Sequence, residues 1–250
     1  MNAFKKRLAV LCLSLILLLT SCSGGAYDLI YSNGAYRNEK QNTAFVLAPL
    51  CYRAVSALTE ETVAVIKNSY GSDVPLYAIE GMDTTKWLTD EQFDVYCDEN
   101  LALPKLSQMN TVYITLSYIT YPFEIGRIEK ASEIADLVGR YENGTSIPAS
   151  KIIPAPENRF ELLFFSSTYQ GIAYSLEYWK FSEEVLVHAK LTENGEIPDL
   201  YPGVTATVEV VNGVSEAVFH LGTGLVYDRT QDLFFPMGSQ LESYFTGVAQ

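Results

Sequence analysis

The sequence has 250 residues, 48% hydrophobic and 19% charged, which excludes a disordered chain and suits one large domain or two small ones. Lys5, Lys6 and Arg7 are the only charged side chains among the first 21 residues; beyond them 14 basic groups face 30 acidic ones, a net −16. Polyanions repel such a chain, so nucleic acid is excluded as a partner, and an anionic bilayer attracts it only through some other device.

The chain opens with the basic patch Lys5–Arg7, followed by an apolar run from Leu8 to Leu19 broken only by Ser14. A membrane-spanning helix needs ~20 apolar residues to cross ~30 Å of hydrocarbon, and this run is shorter. A basic segment before a short apolar one is a secretory signal. It ends in Leu19-Thr20-Ser21-Cys22. These four residues resemble the lipobox of bacterial lipoproteins: leucine, two small residues, then cysteine. The resemblance implies cleavage after Ser21, with residues 1–21 as the signal peptide, and a diacylglycerol thioether on Cys22. Two or more acyl chains make a stable anchor, each buried methylene contributing ~0.8 kcal/mol. Residues 22–26 form a short tether, so the folded part is expected close to the outer face of the cell membrane.

From there the pattern is mostly β. Tyr27–Tyr31 and Ala35–Arg37 flank Asn33-Gly34, a hairpin signal. Asn38–Asn42 is a second turn, and Thr43–Ala48 a further strand. Thr59-Glu60-Glu61 suits a helix start, but β-branched residues crowd Thr62–Ile66 and favour a strand. A turn at Asn68–Asp73 leads to Val74–Ile79. Around Trp87 the expectation is a loop or short helix, and Phe93–Cys97 reads as a short strand. Pro104 closes a β-rich part, residues 27–103. In 104–250, Thr111–Tyr121 is a long strand ended by Pro122. A helix follows over about 129–141, with Ala131, Ile134, Ala135, Val138 and Tyr141 on one face. Asn143-Gly144 predicts a left-handed stop. Strands resume at Phe160–Ser166, Ile172–Lys180, Val185–Leu191, Thr205–Val211, Val214–Leu221 and Leu225–Tyr227, with turns at Gln170-Gly171, Asn194-Gly195 and Asn212-Gly213. Ser239-Gln240-Leu241-Glu242 is a capping box for a short C-terminal helix bearing Leu241, Tyr244 and Phe245. The expected class is α+β: a mostly antiparallel β meander with one amphipathic helix and a short terminal one.

Catalytic constellations are not legible. His188 and His220 both fall in alternating strands, where a histidine on a solvated or half-buried face is the ordinary outcome. Neither a G-x-S-x-G nor an S-x-x-K motif occurs. Asp90, Glu91, Asp94, Asp98 and Glu99 cluster without calcium-loop spacing, and Glu183-Glu184 form a turn; both read as solvated charge. Cys51 and Cys97 suit either a disulfide closing a loop of about 45 residues, valued at roughly 4 kcal/mol, or two buried thiols. Two distant cysteines and two distant histidines do not make a metal site, and no cofactor is expected. The sharpest compositional feature is 17 Tyr, 12 Phe and 2 Trp. Tyr174 and Tyr178 share parity within one strand and so share a face, with Trp179 beside them. An exposed aromatic row would stack sugars or anchor a protein partner; a buried one packs across strands.

Leu76–Asp83 with Trp87-Leu88, and Tyr227-Asp228-Arg229 leading to Phe235-Pro236, resemble small lipoproteins of Gram-positive anaerobes, a group that carries no activity to transfer. The expectation is a lipid-anchored, extracytoplasmic, non-enzymatic protein that binds a ligand or assists an envelope complex. A carbohydrate- or wall-binding module and a carboxylate-dependent hydrolase are the alternatives.

Overall fold

The structure, a computed structural model, describes residues 26–55, 58–67, 72–119, 123–236 and Leu241. The lipobox-like residues Leu19–Cys22 and all but Leu241 of the expected C-terminal helix lie outside the described residues, as does most of the Asn68–Asp73 turn. The first eight strands are β1 (Tyr27–Ser32), β2 (Ala35–Asn38), β3 (Thr43–Leu47), β4 (Tyr52–Ala54), β5 (Leu58–Lys67), β6 (Val74–Ile79), β7 (Trp87–Thr89) and β8 (Val95–Asp98). Seven of them close into a barrel in the order β1-β2-β3-β8-β7-β6-β5. Neighbours run antiparallel except at the closure, where β1 and β5 pair in parallel from Tyr27 opposite Ala64 to Ile30 opposite Lys67. Asn33 and Gly34 both take positive φ in the β1–β2 turn, the two-residue geometry that matches strand twist.

The second half contributes β9 (Thr111–Tyr118), β10 (Glu124–Ile128), the helix α1 (Ala131–Asn143), β11 (Ile147–Pro148), β12 (Asn158–Ser166) and β13 (Ile172–Lys180). After these come β14 (Leu186–Lys190), β15 (Thr205–Val211), β16 (Val214–His220), β17 (Gly224–Asp228) and β18 (Leu233–Pro236). A large sheet runs β10-β9-β12-β13-β17-β18-β11, and β4 leaves the barrel's path to pair with the start of β13. The remaining strands form a three-stranded sheet, β14-β16-β15.

The α+β expectation is therefore wrong. Eighteen strands accompany one α-helix among the described residues, and the N-terminal part is a closed barrel rather than a meander. The reason is physical. Periodicity marks which segments are strands, but closure is set by β1 meeting β5 across an intervening 25 residues and more, which no local pattern encodes.

Three cores explain the burial. Leu29, Phe45, Ala64, Ile66, Leu76, Leu88 and Tyr96 fill the barrel. Alternate residues of the same strands, Ile79, Trp87, Val95 and Cys97, point outward into the main core, which the large sheet and α1 complete with Leu116, Phe164, Leu176, Ile134 and Leu137. β7 is thus buried on both faces, and the loop or short helix expected around Trp87 is a strand. A third core, with Phe181, Val187, Phe219 and Phe234, lies under the small sheet.

The helix buries Ile134, Leu137 and Tyr141, while Ala131 and Ala135 are exposed, so its inner face is rotated from the expected one. Its stop is not left-handed either. Gly144 is extended, with φ −81° and ψ 174°, and glycine is needed because a Cβ would run into the Arg140 carbonyl.

Candidate functional site

A pocket of about 490 Å³ opens between the end of α1, the β17–β18 turn and the segment before β9. Its walls include Tyr52 from β4, Tyr141 from α1, Tyr174 from β13, Gln231 from the turn and Phe235 from β18, with Glu142 and Ser146 at the rim. The volume falls within the ~300–1,000 Å³ usual for small-molecule sites. The rings meet edge-on or tilted: Tyr52 and Tyr174 lie 5.4 Å apart between centroids, Tyr141 and Phe235 4.9 Å. Such arrangements suit the aromatic quadrupole and hold the rings in place.

Beneath the rings lies a satisfied polar network. Asp228, 1% exposed, accepts the backbone N–H of Thr230 at 2.7 Å on Oδ1, which fixes the turn after β17. Its Oδ2 accepts from Tyr141 Oη at 2.6 Å and from Gln231 Nε2 at 2.6 Å. Tyr141 and Tyr174 hydroxyls are 2.8 Å apart. A phenol has one proton. Tyr141 gives its proton to Asp228, so Tyr174 is the donor to Tyr141. Gln231 also reaches Tyr141 Oη at 3.1 Å. Tyr52 donates to the Pro104 carbonyl at 2.5 Å.

Burial pushes the Tyr52, Tyr141 and Tyr174 hydroxyls well above the ordinary phenol range, with the hydrogen bond to Asp228 adding to the effect at Tyr141 and the nearby Cys51 thiol at Tyr174. These groups therefore hold their protons across neutral pH. A side chain that does not exchange its proton near the working pH serves as a hydrogen-bond donor, not as a general base.

The residues singled out from sequence are distributed as follows. Tyr174 and Tyr178 do share a face, but it is the core face; at 7% and 1% exposure they form no exposed aromatic row. Tyr174 reaches the pocket, whereas Tyr178 packs against Phe160. Trp179 lies on the opposite face, under the Arg159 guanidinium at 4.2 Å, and its indole N–H donates to Glu177 at 2.7 Å. Cys51 and Cys97 are both buried free thiols rather than a disulfide; burial raises both, Cys97 to about 11. The acidic cluster is not a uniformly solvated face, because Asp90 is 4% exposed and accepts the backbone N–H groups of Gln92 and Asp94. Glu161 and Glu177 stand directly across from each other on β12 and β13, and each meets an arginine, Arg53 at 3.1 Å and Arg229 at 3.3 Å. These pairs tie β4 and the β17–β18 turn to the centre of the sheet. His188 faces Glu216 at 3.3 Å; His220 lies between Glu184 at 3.1 Å and Thr207 at 3.0 Å.

Sequence reasoning missed Asp228, Gln231 and Tyr52. A signal existed for the first: an aspartate two residues before a threonine, after a strand, is the pattern of a side chain capping its own turn. Among the described residues no helix is long and apolar enough to cross a membrane, and no three His, Cys, Asp or Glu side chains gather to hold a metal ion. Comparisons with family models, curated proteins and solved structures find no match.

Proposed function

We propose that this chain is an extracytoplasmic binding protein, anchored by lipid on Cys22, that takes a small polar ligand in the tyrosine-lined pocket and acts without catalysis, on its own or as an accessory to an envelope complex. The observation that carries the binding reading is the pocket itself, walled by aromatic rings and supplied with the phenol oxygens of Tyr52 and Tyr174, whose protons are given inside the protein and whose lone pairs are left to accept. Fixed acceptors on a prepacked floor orient a ligand at little entropic cost. The anchoring rests on the basic patch, the short apolar run and Leu19-Thr20-Ser21-Cys22.

A sugar fits such a site: rings lie against its apolar faces, and the Tyr52 and Tyr174 oxygens accept from its hydroxyl groups. The carbohydrate reading thus moves from an exposed row at Tyr174, Tyr178 and Trp179 to the open pocket reached by Tyr174. The test is thermal unfolding of the mature protein with N-acetylhexosamines and wall disaccharides. Ligand at about 100-fold its dissociation constant stabilises by ~2.7 kcal/mol, and Ser146→Trp at the rim abolishes the shift. A shift that survives Ser146→Trp, or no shift with any of these sugars, removes the glycan version. For the anchor, Cys22→Ala should release the protein from the membrane fraction; retention unchanged means that lipid on Cys22 is not what holds it.

A further inference from the structure

Sheet edges offer unpaired backbone groups, and folded chains guard them with short strands, bulges and charges. Almost every edge among the described residues is guarded. The barrel is closed by β1 and β5 and has none. The large sheet ends on β11, two residues long, and on β10, which is irregular between Glu124 and Gly126 and carries Arg127. In the small sheet, β14 is five residues long and carries His188 and Lys190.

β15 differs. It is seven residues long, pairs with β16 at seven consecutive positions without a register shift, and among the described residues has no strand on its other side. Val208 and Val210 are 51% and 73% exposed, and by alternation they extend the face on which Ala206 packs beside Phe219. Its one charge, Glu209, projects from the opposite face.

We infer that β15 is an interaction surface that accepts an extended basic segment of a partner protein as a fourth strand. Main-chain hydrogen bonds supply the pairing in this mode, and alternate side chains supply the choice of partner. The charge identifies that partner. Residues 183–220 hold seven acidic side chains and one lysine, Lys190, with no arginine. Glu209, Glu216 and Glu184 gather on the face away from the core, around His220 and His188. Two copies pairing through β15 would bring like charges together, which is unfavourable across strands. A segment alternating an apolar residue with lysine or arginine places its apolar side chains beside Val208 and Val210, and its cations beside Glu209.

The experiment is fluorescence anisotropy with the mature chain and a labelled ten-residue peptide alternating valine and lysine, at low salt. Three controls accompany it: the same peptide N-methylated at alternate amides, its glutamate counterpart, and the Val210→Lys protein. The expected result is saturable binding of the valine–lysine peptide, weakened at least tenfold in each control. Val210 is exposed, so its substitution leaves the fold intact, as circular dichroism will report. Equal binding of the N-methylated peptide overturns the inference, because charge alone then explains it. Absence of saturable binding overturns it too, as does a dimer in sedimentation that Val210→Lys dissolves, since the occupant is then a second copy.

Discussion

The Tyr141 hydroxyl, near the end of the only α-helix among the described residues, donates to Asp228 at the end of β17 across 2.6 Å and 87 positions of sequence. One proton thereby links helix, sheet and turn at the floor of the pocket. The carboxylate is buried, and each of its oxygens is occupied by a donor.

Tyr141→Phe deletes the hub of this network, leaving Asp228 one donor short and Tyr174 without its acceptor. Leaving a buried polar group unsatisfied costs about 1–3 kcal/mol. The denaturant midpoint should fall while the slope stays constant. Tyr174→Phe removes only one donation and should cost less. The double variant should cost less than the two singles together, because Tyr141→Phe already forfeits the Tyr174 bond. Strict additivity would show that the hydroxyls do not couple.

Alkali should unfold the protein by a route that acid does not share. Cys97 and Tyr227 are raised to about 11 and about 12, and Cys51, Tyr52, Tyr141 and Tyr174 are raised as well, all chiefly by burial. The folded form holds these protons more tightly than the unfolded one. Their contribution is complete below the unfolded values, ~8.5 for thiols and ~10 for phenols, and is lost as pH rises through the folded ones. Stability measured from pH 8 to 12 should decline with increasing slope, at up to ~1.4 kcal/mol per unit for each group. The share of the tyrosinate absorbance at 295 nm that belongs to the buried tyrosines should appear only with unfolding. Full ionisation of all 17 tyrosines in a still-folded protein would contradict the burial.

The two thiols give a separate readout. In residues 22–250 carrying Cys22→Ala, native protein at pH 8 should leave Cys51 and Cys97 unmodified by a soluble disulfide reagent, and denatured protein should release two equivalents. No equivalents after denaturation would mean that they are joined.

Gly224→Ala should be poorly tolerated, because its Cβ would strike the Tyr178 hydroxyl and ring edge. Overpacking of this kind costs about 1–3 kcal/mol. Adding Tyr178→Phe removes the nearest obstructing atom and should recover part of the loss; no recovery would place the clash elsewhere.

Leu241 is 1% exposed in the main core although it stands five residues beyond β18. Leu241→Ala should cost about 2–5 kcal/mol by thermal or denaturant unfolding. A neutral effect would mean that this leucine does not complete the core.

Local chemistry was legible where one residue decides the backbone. Asn33-Gly34 and Asn212-Gly213 both adopt positive φ, as hairpin turns require. The helix was legible because its apolar spacing spans several turns. Trp87–Thr89 was not: three residues buried on both faces show no period. The same limit governs Tyr174 and Tyr178. Their parity correctly put them on one face, yet parity does not say which face. That depends on β13 lying between β12 on one side and β4 and β17 on the other, with α1 above. Asp228, Tyr141 and Tyr52 meet only after those pairings exist, so no stretch of sequence displays the site.

The placement of β1 has a mechanical consequence. If the chain is held at Cys22, any drag on the folded part is transmitted through residues 22–26 into Tyr27, the first residue of β1. β1 is bonded to β5 running the same way and to β2 running the opposite way. Ladder bonds lie across the strands, so a pull along β1 loads many of them at once instead of opening them singly. The first strand of the barrel is thus arranged as a lap joint, strongest along the line on which a tether would pull.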